Sequence, residues 1–340
     1  METLEIRRPD DMHVHFRQGK MLESVMPYTA RQCARALVMP NTTPPILTAS
    51  ELIAYRDEIQ SACKKENIAG FEPLMTFKVA PATDVDEIKR LKEAGAVAGK
   101  LYPEGVTTNS ADGVRDFKAI YPVYQAMQDE GLILCIHGEV PGVFSLDRER
   151  AFLSTLKELA SDFPRLKIIL EHATTKDAVD AVLSLPETIA CTLTVHHLYL
   201  TLDDVIGGML DPHVFCKPVA KLPSDREALL EAAFSGNPKF FLGSDSAPHT
   251  VDNKECPCGA AGVYTAPVMM PALIDLFDKH GKLNRLEAFV SEFGARFYGL
   301  PLNEGKDRFV KKDWTVPDIC GEVKPFLYGK TLGWQAESDN

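Results

Sequence analysis

Short apolar runs, each followed by a stretch of helical spacing, recur along most of the chain. The runs read as strands at the segment leading into His13, then at 35–40, 72–79, 96–101, 132–137, 167–172, 189–195 and 239–245. Their near-continuous apolar character suits strands of a parallel sheet covered on both faces. Between them, 50–59, 83–94, 116–130, 148–162, 175–185 and 224–235 carry helical periodicity, the first opening on an N-cap residue, Ser50. Eight strand–helix units predict a (β/α)8 TIM barrel. An open doubly wound sheet is the alternative, but no glycine-rich phosphate loop follows the first strand. One domain over 1–340 is expected, with 307–340 as a C-terminal extension packing on the barrel.

A barrel of this kind keeps its chemistry at the C-terminal ends of its strands. Five of the eight runs end there in a candidate metal-site residue: His13 with His15, Lys100, His137, His172 and Asp245. In a strand, alternate side chains share a face, so His13 and His15 project together while Val14 turns away. Two neutral imidazoles on one face make a ligand pair for a divalent ion such as zinc. Arg17 shares that face and can hold an anion, and the second run ends in Pro40-Asn41, which offers an amide. A lone histidine at a strand end is more often packing than a ligand. Four histidines, a lysine and an aspartate on one rim, however, are costly to bury without a shared partner.

Lys100 differs from the others, because an ammonium has no lone pair to give a metal. Burial beside cations favours the neutral amine, which reacts with carbon dioxide to form a carbamate. Among the remaining histidines, His249 follows the eighth run on a rim loop. His196 and His197 are expected to make structural hydrogen bonds, and His213 and His280 lie apart from the chemistry.

Composition narrows the partners. The 340 residues are 45% hydrophobic and 25% charged, with a formal net charge of -11. Such a surface disfavours nucleic acid and anionic membranes, so an anionic substrate needs local arginine or metal to draw it in. No apolar run reaches membrane-spanning length. The opening Met1-Glu2-Thr3-Leu4-Glu5 lacks a signal-peptide core, and the eight cysteines have no disulfide spacing, so a reduced, cytoplasmic protein is expected.

Asp11-Met12-His13-Val14-His15-Phe16-Arg17, Met39-Pro40-Asn41-Thr42, Gly99-Lys100-Leu101-Tyr102-Pro103, His137-Gly138-Glu139, Glu171-His172 and Gly243-Ser244-Asp245-Ser246-Ala247-Pro248-His249 together resemble the dihydroorotase family. That family lies within the amidohydrolase superfamily, and the likeness is to its compact monofunctional bacterial and fungal type, from about Leu4 to Trp334. The resemblance implies reversible cyclisation of N-carbamoyl-L-aspartate to L-dihydroorotate in pyrimidine synthesis. It implies two zinc ions, His13, His15 and Asp245 on one, His137 and His172 on the other, and Lys100 bridging them as N6-carboxylysine. A bridging hydroxide would attack the ring amide, with Asp245 as general base and then acid. Arg17, Asn41 and His249 would hold the α-carboxylate side of the substrate, with Ala261 and the backbone at Lys217 lining the rest. Thr107 and Thr108 match a mobile loop that closes on substrate. A homodimer is implied as well.

Three other readings compete. Hydantoinases and allantoinases carry a β-rich part before the His-x-His strand, whereas this chain reaches His13 at once. A non-catalytic scaffold is free to lose ligands, and here all six remain. Cys256-Pro257-Cys258 has no second cysteine pair to complete a structural zinc site, which favours ordinary rim-loop cysteines.

Overall fold

In a computed structural model, which describes residues 2–107, 110 and 112–337, the eight expected runs form one parallel sheet in sequential order. A short strand, β1 (Thr3–Arg7), precedes it. The sheet comprises β2 (Asp10–Val14), β3 (Arg35–Val38), β4 (Glu72–Val79), β5 (Ala96–Leu101), β6 (Ile133–His137), β7 (Ile168–Glu171), β8 (Ile189–Leu193) and β9 (Phe240–Leu242). Helices α1 (Gly19–Gln32), α2 (Ala49–Lys65), α3 (Val85–Glu93), α4 (Tyr121–Asp129), α5 (Arg148–Asp162) and α6 (Lys176–Ser184) follow β2 to β7. Beyond β8 come α7 (Val195–Tyr199), α8 (Leu202–Ile206) and α9 (Pro223–Phe234), and beyond β9 come α10 (Val251–Lys254) and α11 (Met269–Lys279). The fold is a (β/α)8 barrel.

Two apolar layers hold it. An inner one takes a side chain from every barrel strand, among them Met12, Leu37, Leu74, Ala98, Ile133, Ile169, Ala190 and Phe241, and Phe293 joins it. A larger outer layer lies between the sheet and the helices. Six strands still end on a residue of the outer layer, Val14, Val38, Val79, Leu101, Leu193 and Leu242, so the polar groups of the rim come from the positions beside and just beyond these. Helix starts follow local chemistry. The α2 cap is Thr48 rather than the expected Ser50, because Glu51 stands three residues after Thr48 and its carboxylate accepts the Thr48 N–H at 2.9 Å.

The barrel closes between its first and last strands. Asp245 N donates to His13 O at 2.8 Å and His15 N to Ser246 O at 3.0 Å. Asp11 fastens the same seam, accepting from Ser244 N at 2.8 Å and Ser244 Oγ at 2.6 Å. Burial outweighs these bonds and lifts its carboxyl to about 6. Gly243 permits the approach, since a Cβ there would lie 2.8 Å from Thr192 and 3.0 Å from the His13 Cβ.

The β2–β3 ladder shifts register between Asp11 and Val14. Met12 packs in the inner layer and Val14, two residues on, in the outer one. Strict alternation is therefore broken just where both His13 and His15 must reach the rim. Residues 306–336 supply two strands, β10 (Lys306–Thr315) and β11 (Thr331–Ala336), which with β1 make an antiparallel sheet in the order β1-β10-β11. Trp334 is buried, and its indole N–H donates to Asp278 beside the end of α11 at 2.9 Å.

Candidate active site

The strand ends converge on a small cavity. The structure brings His13, His15, Arg17, Asn41, Thr107, His137, His172, Lys217, Asp245 and Ala261 together around it, and Tyr102 joins them. Lys100 lies fully buried near the Tyr102 ring, its Nζ 5.2 Å from the ring centroid. His249 borders the site through Arg17 and Ala261. Thr108 falls outside the described residues.

His13 Nε2 and His15 Nε2 approach Asp245 Oδ1 to 3.4 and 3.1 Å, so three ligand atoms face one point. Three of the four imidazoles have one ring nitrogen held by an oxygen. His13 Nδ1 meets Glu171 Oε2 at 2.8 Å, His15 Nδ1 meets Asn41 Oδ1 at 2.7 Å, and His137 Nε2 meets Glu139 Oε2 at 2.7 Å. An imidazole that donates one N–H to an oxygen keeps a lone pair on the other nitrogen, the tautomer a metal requires. The His137 and His172 rings stand 4.6 Å apart in an edge contact, and the His13 and His172 centroids are 5.3 Å apart.

Several of these groups lack partners. Lys100 Nζ, His172 Nδ1, Glu171 Oε1 and the Tyr102 hydroxyl are buried without a hydrogen bond. Each such group costs about 1–3 kcal/mol unless something satisfies it. Burial pushes His15 down to about 4 and lowers His137 and His172 as well, keeping the imidazoles neutral. It lowers Lys100 too, toward the free amine. Burial alone would raise the Asp245 carboxyl, but the facing His13 and His15 hold it well below the usual carboxylate range. Neutral imidazoles, an ionised carboxylate and an orphaned lysine in one buried cluster fit divalent metal ions.

Backbone strain gathers at the same place. Five non-glycine residues among those described have positive φ, and three belong here: Arg17 (61°), His172 (44°) and Asp245 (45°). Such conformations persist where surrounding structure imposes them, and they concentrate at functional sites. Arg17 is fixed by its Nε donating to Pro248 O at 3.1 Å and by the Tyr55 hydroxyl donating to Arg17 O at 2.6 Å. Its Nη2 lies 3.1 Å from His249 Nε2, which is also 3.1 Å from Ala261 O. That nitrogen can accept from Arg17 or donate to Ala261, one at a time. Burial, then Arg17, depresses His249 to about 3, so its ring is neutral.

The residue-by-residue reading missed the supporting carboxylates. Glu171 holds His13 and also accepts from the Thr192 hydroxyl at 2.5 Å, while Thr192 Oγ1 takes the His172 N–H at 2.7 Å. Their signal was adjacency: Glu171 precedes His172, and Glu139 is two residues past His137. Tyr102 was legible as the residue sharing the Lys100 face of its strand. The structural role expected of the paired histidines holds for His197, bonded to Thr194 Oγ1 at 2.8 Å and Pro218 O at 3.0 Å. His196 has no partner at either ring nitrogen. Cys256 and Cys258 are exposed and unpaired.

A family model described as "Amidohydrolase family" matches residues 11–307. A dihydroorotase of Sphingopyxis alaskensis is 48% identical over 338 residues, covering 98% of this chain and 99% of that protein. The crystal structure of dihydroorotase from Saccharomyces cerevisiae, in complex with 5-fluoroorotic acid, superposes with a TM-score of 0.92. It is 38% identical, with 99% of both chains covered. Dihydroorotase from Campylobacter jejuni gives a TM-score of 0.89 at 40% identity, covering 98% of this chain and 97% of that one.

Proposed function

The chain belongs to the amidohydrolase family, and on that premise we propose that it interconverts N-carbamoyl-L-aspartate and L-dihydroorotate, as a cyclic amide hydrolase of pyrimidine synthesis. The observation that carries this reading is one cavity that joins a three-ligand cluster to a fixed guanidinium, with an orphaned lysine buried beside its lining residue Tyr102. His13, His15 and Asp245 would hold one zinc, His137 and His172 the second, with Lys100, as N6-carboxylysine, between them. The buried free amine supports that modification, since attack on carbon dioxide needs a lone pair and releases one proton. When bound, the ions acidify a water and polarise the amide carbonyl.

The chain's own groups do the rest. Asp245 takes a proton from the attacking water and returns it to the ring nitrogen as the C–N bond breaks; ring closure runs the same transfer backward. Arg17 presents a planar fork to the substrate carboxylate, beside Asn41 and His249. The backbone at Ala261 and Lys217 faces the remaining edge, and Thr107, with Thr108, would cover the mouth and exclude water. We further propose one domain over 1–340 with 307–340 as its extension, a homodimer and a cytoplasmic location. All eight cysteines are unpaired, and among the described residues no helix is long and apolar enough to cross a membrane.

Loss of ultraviolet absorbance as dihydroorotate opens, with hydantoin and allantoin as controls, tests the activity. Turnover of a control but not of dihydroorotate would displace the reading. Arg17→Met is expected to raise KM for carbamoyl aspartate roughly 10- to 100-fold, the worth of one charge-assisted hydrogen bond, with metal content unchanged. Unaltered kinetics would remove the anion clamp. Glu171→Gln should weaken metal binding about 10- to 100-fold through loss of the carboxylate behind His13, measured by competition with a chelator. Wild-type affinity in that variant would show that the contact does not tune the ligand.

A further inference from the structure

Two loops line the cavity at Lys217 and at Ala261, the positions where the proposed reading puts main-chain contacts to substrate. Neither lies on a strand, so something other than the barrel must set their position. Lys254, the last residue of α10, is buried beneath them with 3% of its surface exposed. Its ammonium donates to three carbonyls: Phe215 O at 2.9 Å, Ala260 O at 2.8 Å and Gly262 O at 2.7 Å. Two of those carbonyls flank Ala261, and the third lies two residues before Lys217. Lys254 Nζ is also 5.9 Å from the Phe215 ring centroid.

The junction has little slack. Gly262 N donates to Phe215 O at 2.9 Å, so that carbonyl accepts from the second loop as well as from Lys254. Gly262 has φ 151°, and a Cβ there would lie 2.5 Å from Ala247 O, against the segment that carries His249. Ala261 O in turn faces His249 Nε2. Main-chain displacement at 260–262 would therefore be felt at three substrate-facing positions together. A buried lysine has no reason to be retained as mere filling, since an apolar side chain packs more cheaply there.

We propose that Lys254 is a positioning residue for substrate binding: its ammonium ties the 215–217 and 260–262 loops together so that their main chain presents a preformed contact edge. It touches neither substrate nor metal. The proposal rests on the dihydroorotate reading of the cavity. Three carbonyl dipoles converging on one point favour a cation there; a neutral apolar replacement removes the Lys254 donor from Ala260 O and Gly262 O and leaves Phe215 O with the Gly262 N–H alone.

The test is steady-state kinetics of dihydroorotate opening by the metal-loaded full chain, with bound zinc measured alongside. Lys254→Met removes the charge, and Lys254→Gln keeps two N–H donors on a shorter arm. Expected is a KM raised about 10-fold or more in Lys254→Met and by a smaller factor in Lys254→Gln, with kcat within about 3-fold and zinc content unchanged. That split separates positioning from general damage, which would lower kcat or bound zinc. A folded variant with wild-type KM overturns the proposal, as does a fall in kcat or zinc at constant KM. Failure of both variants to fold overturns it too, by making Lys254 a stability residue. Wild-type protein that does not open dihydroorotate refutes the functional reading instead, and that result is read before any variant is made.

Discussion

Replacing Lys100 with alanine is expected to lower kcat/KM for dihydroorotate by at least about 10³-fold and to reduce bound metal, even though the rest of the cluster stays in place. The argument is one of charge and of satisfaction. Lys100 sits fully buried on β5 with an amine that meets no acceptor. As an ammonium it would oppose any cation held by His13, His15, His137 and His172. As a carbamate it replaces that repulsion with an anion and two ligand oxygens. Alanine supplies neither, and it leaves a void beside Tyr102. Metal analysis and turnover should fall together. Two zinc ions bound with full activity in Lys100→Ala would refute the bridging role.

Asp245→Asn should show the second large effect, a fall in kcat of about 10²- to 10⁴-fold, the usual contribution of a positioned acid–base group. Asparagine keeps the shape and one oxygen, so the left-handed backbone at this position remains tolerable. It loses the negative charge that His13 and His15 face at 3.4 and 3.1 Å, and it cannot carry a proton. KM should change much less than kcat, because Arg17 and the loop main chain are untouched. Bound metal, measured beside kinetics, divides the two duties. A variant with full zinc but lost turnover isolates the proton transfer. Wild-type turnover would mean that another group moves the proton.

How much of this was legible beforehand depended on how local each signal was. The eight barrel strands could be read from their apolar runs and six of the helices from the stretches between them, of which α2, α3 and α6 also open on a capping side chain. The strand expected into His13 is Asp10–Val14. β1, β10 and β11 could not be read, since Lys306–Thr315 is charged and half exposed and becomes a strand only by pairing with residues some 300 positions earlier. Helix α1 was obscured by Pro27 within it and by a start at Gly19 with no side-chain cap. The cluster of candidate ligands was legible because barrel geometry puts strand ends together whatever their sequence separation. The residues behind the ligands were not, because Glu171, Glu139 and Thr192 have ordinary identities and acquire meaning only from contacts across strands.

The seam between β2 and β9 joins residues that are some 230 positions apart, and it does so through the ligand-bearing residues themselves. Asp245 N and His13 O are hydrogen-bonded, and the side chains of the same two residues face the same point. During synthesis on a ribosome, His13 and His15 emerge early and wait for most of the chain before their third ligand exists. Closing the sheet and bringing His13 and Asp245 together are then one contact set, and it spans the longest stretch of chain between any two neighbouring barrel strands. An ion held by these side chains would fasten that joint, so that its binding and the closure of the barrel would support one another.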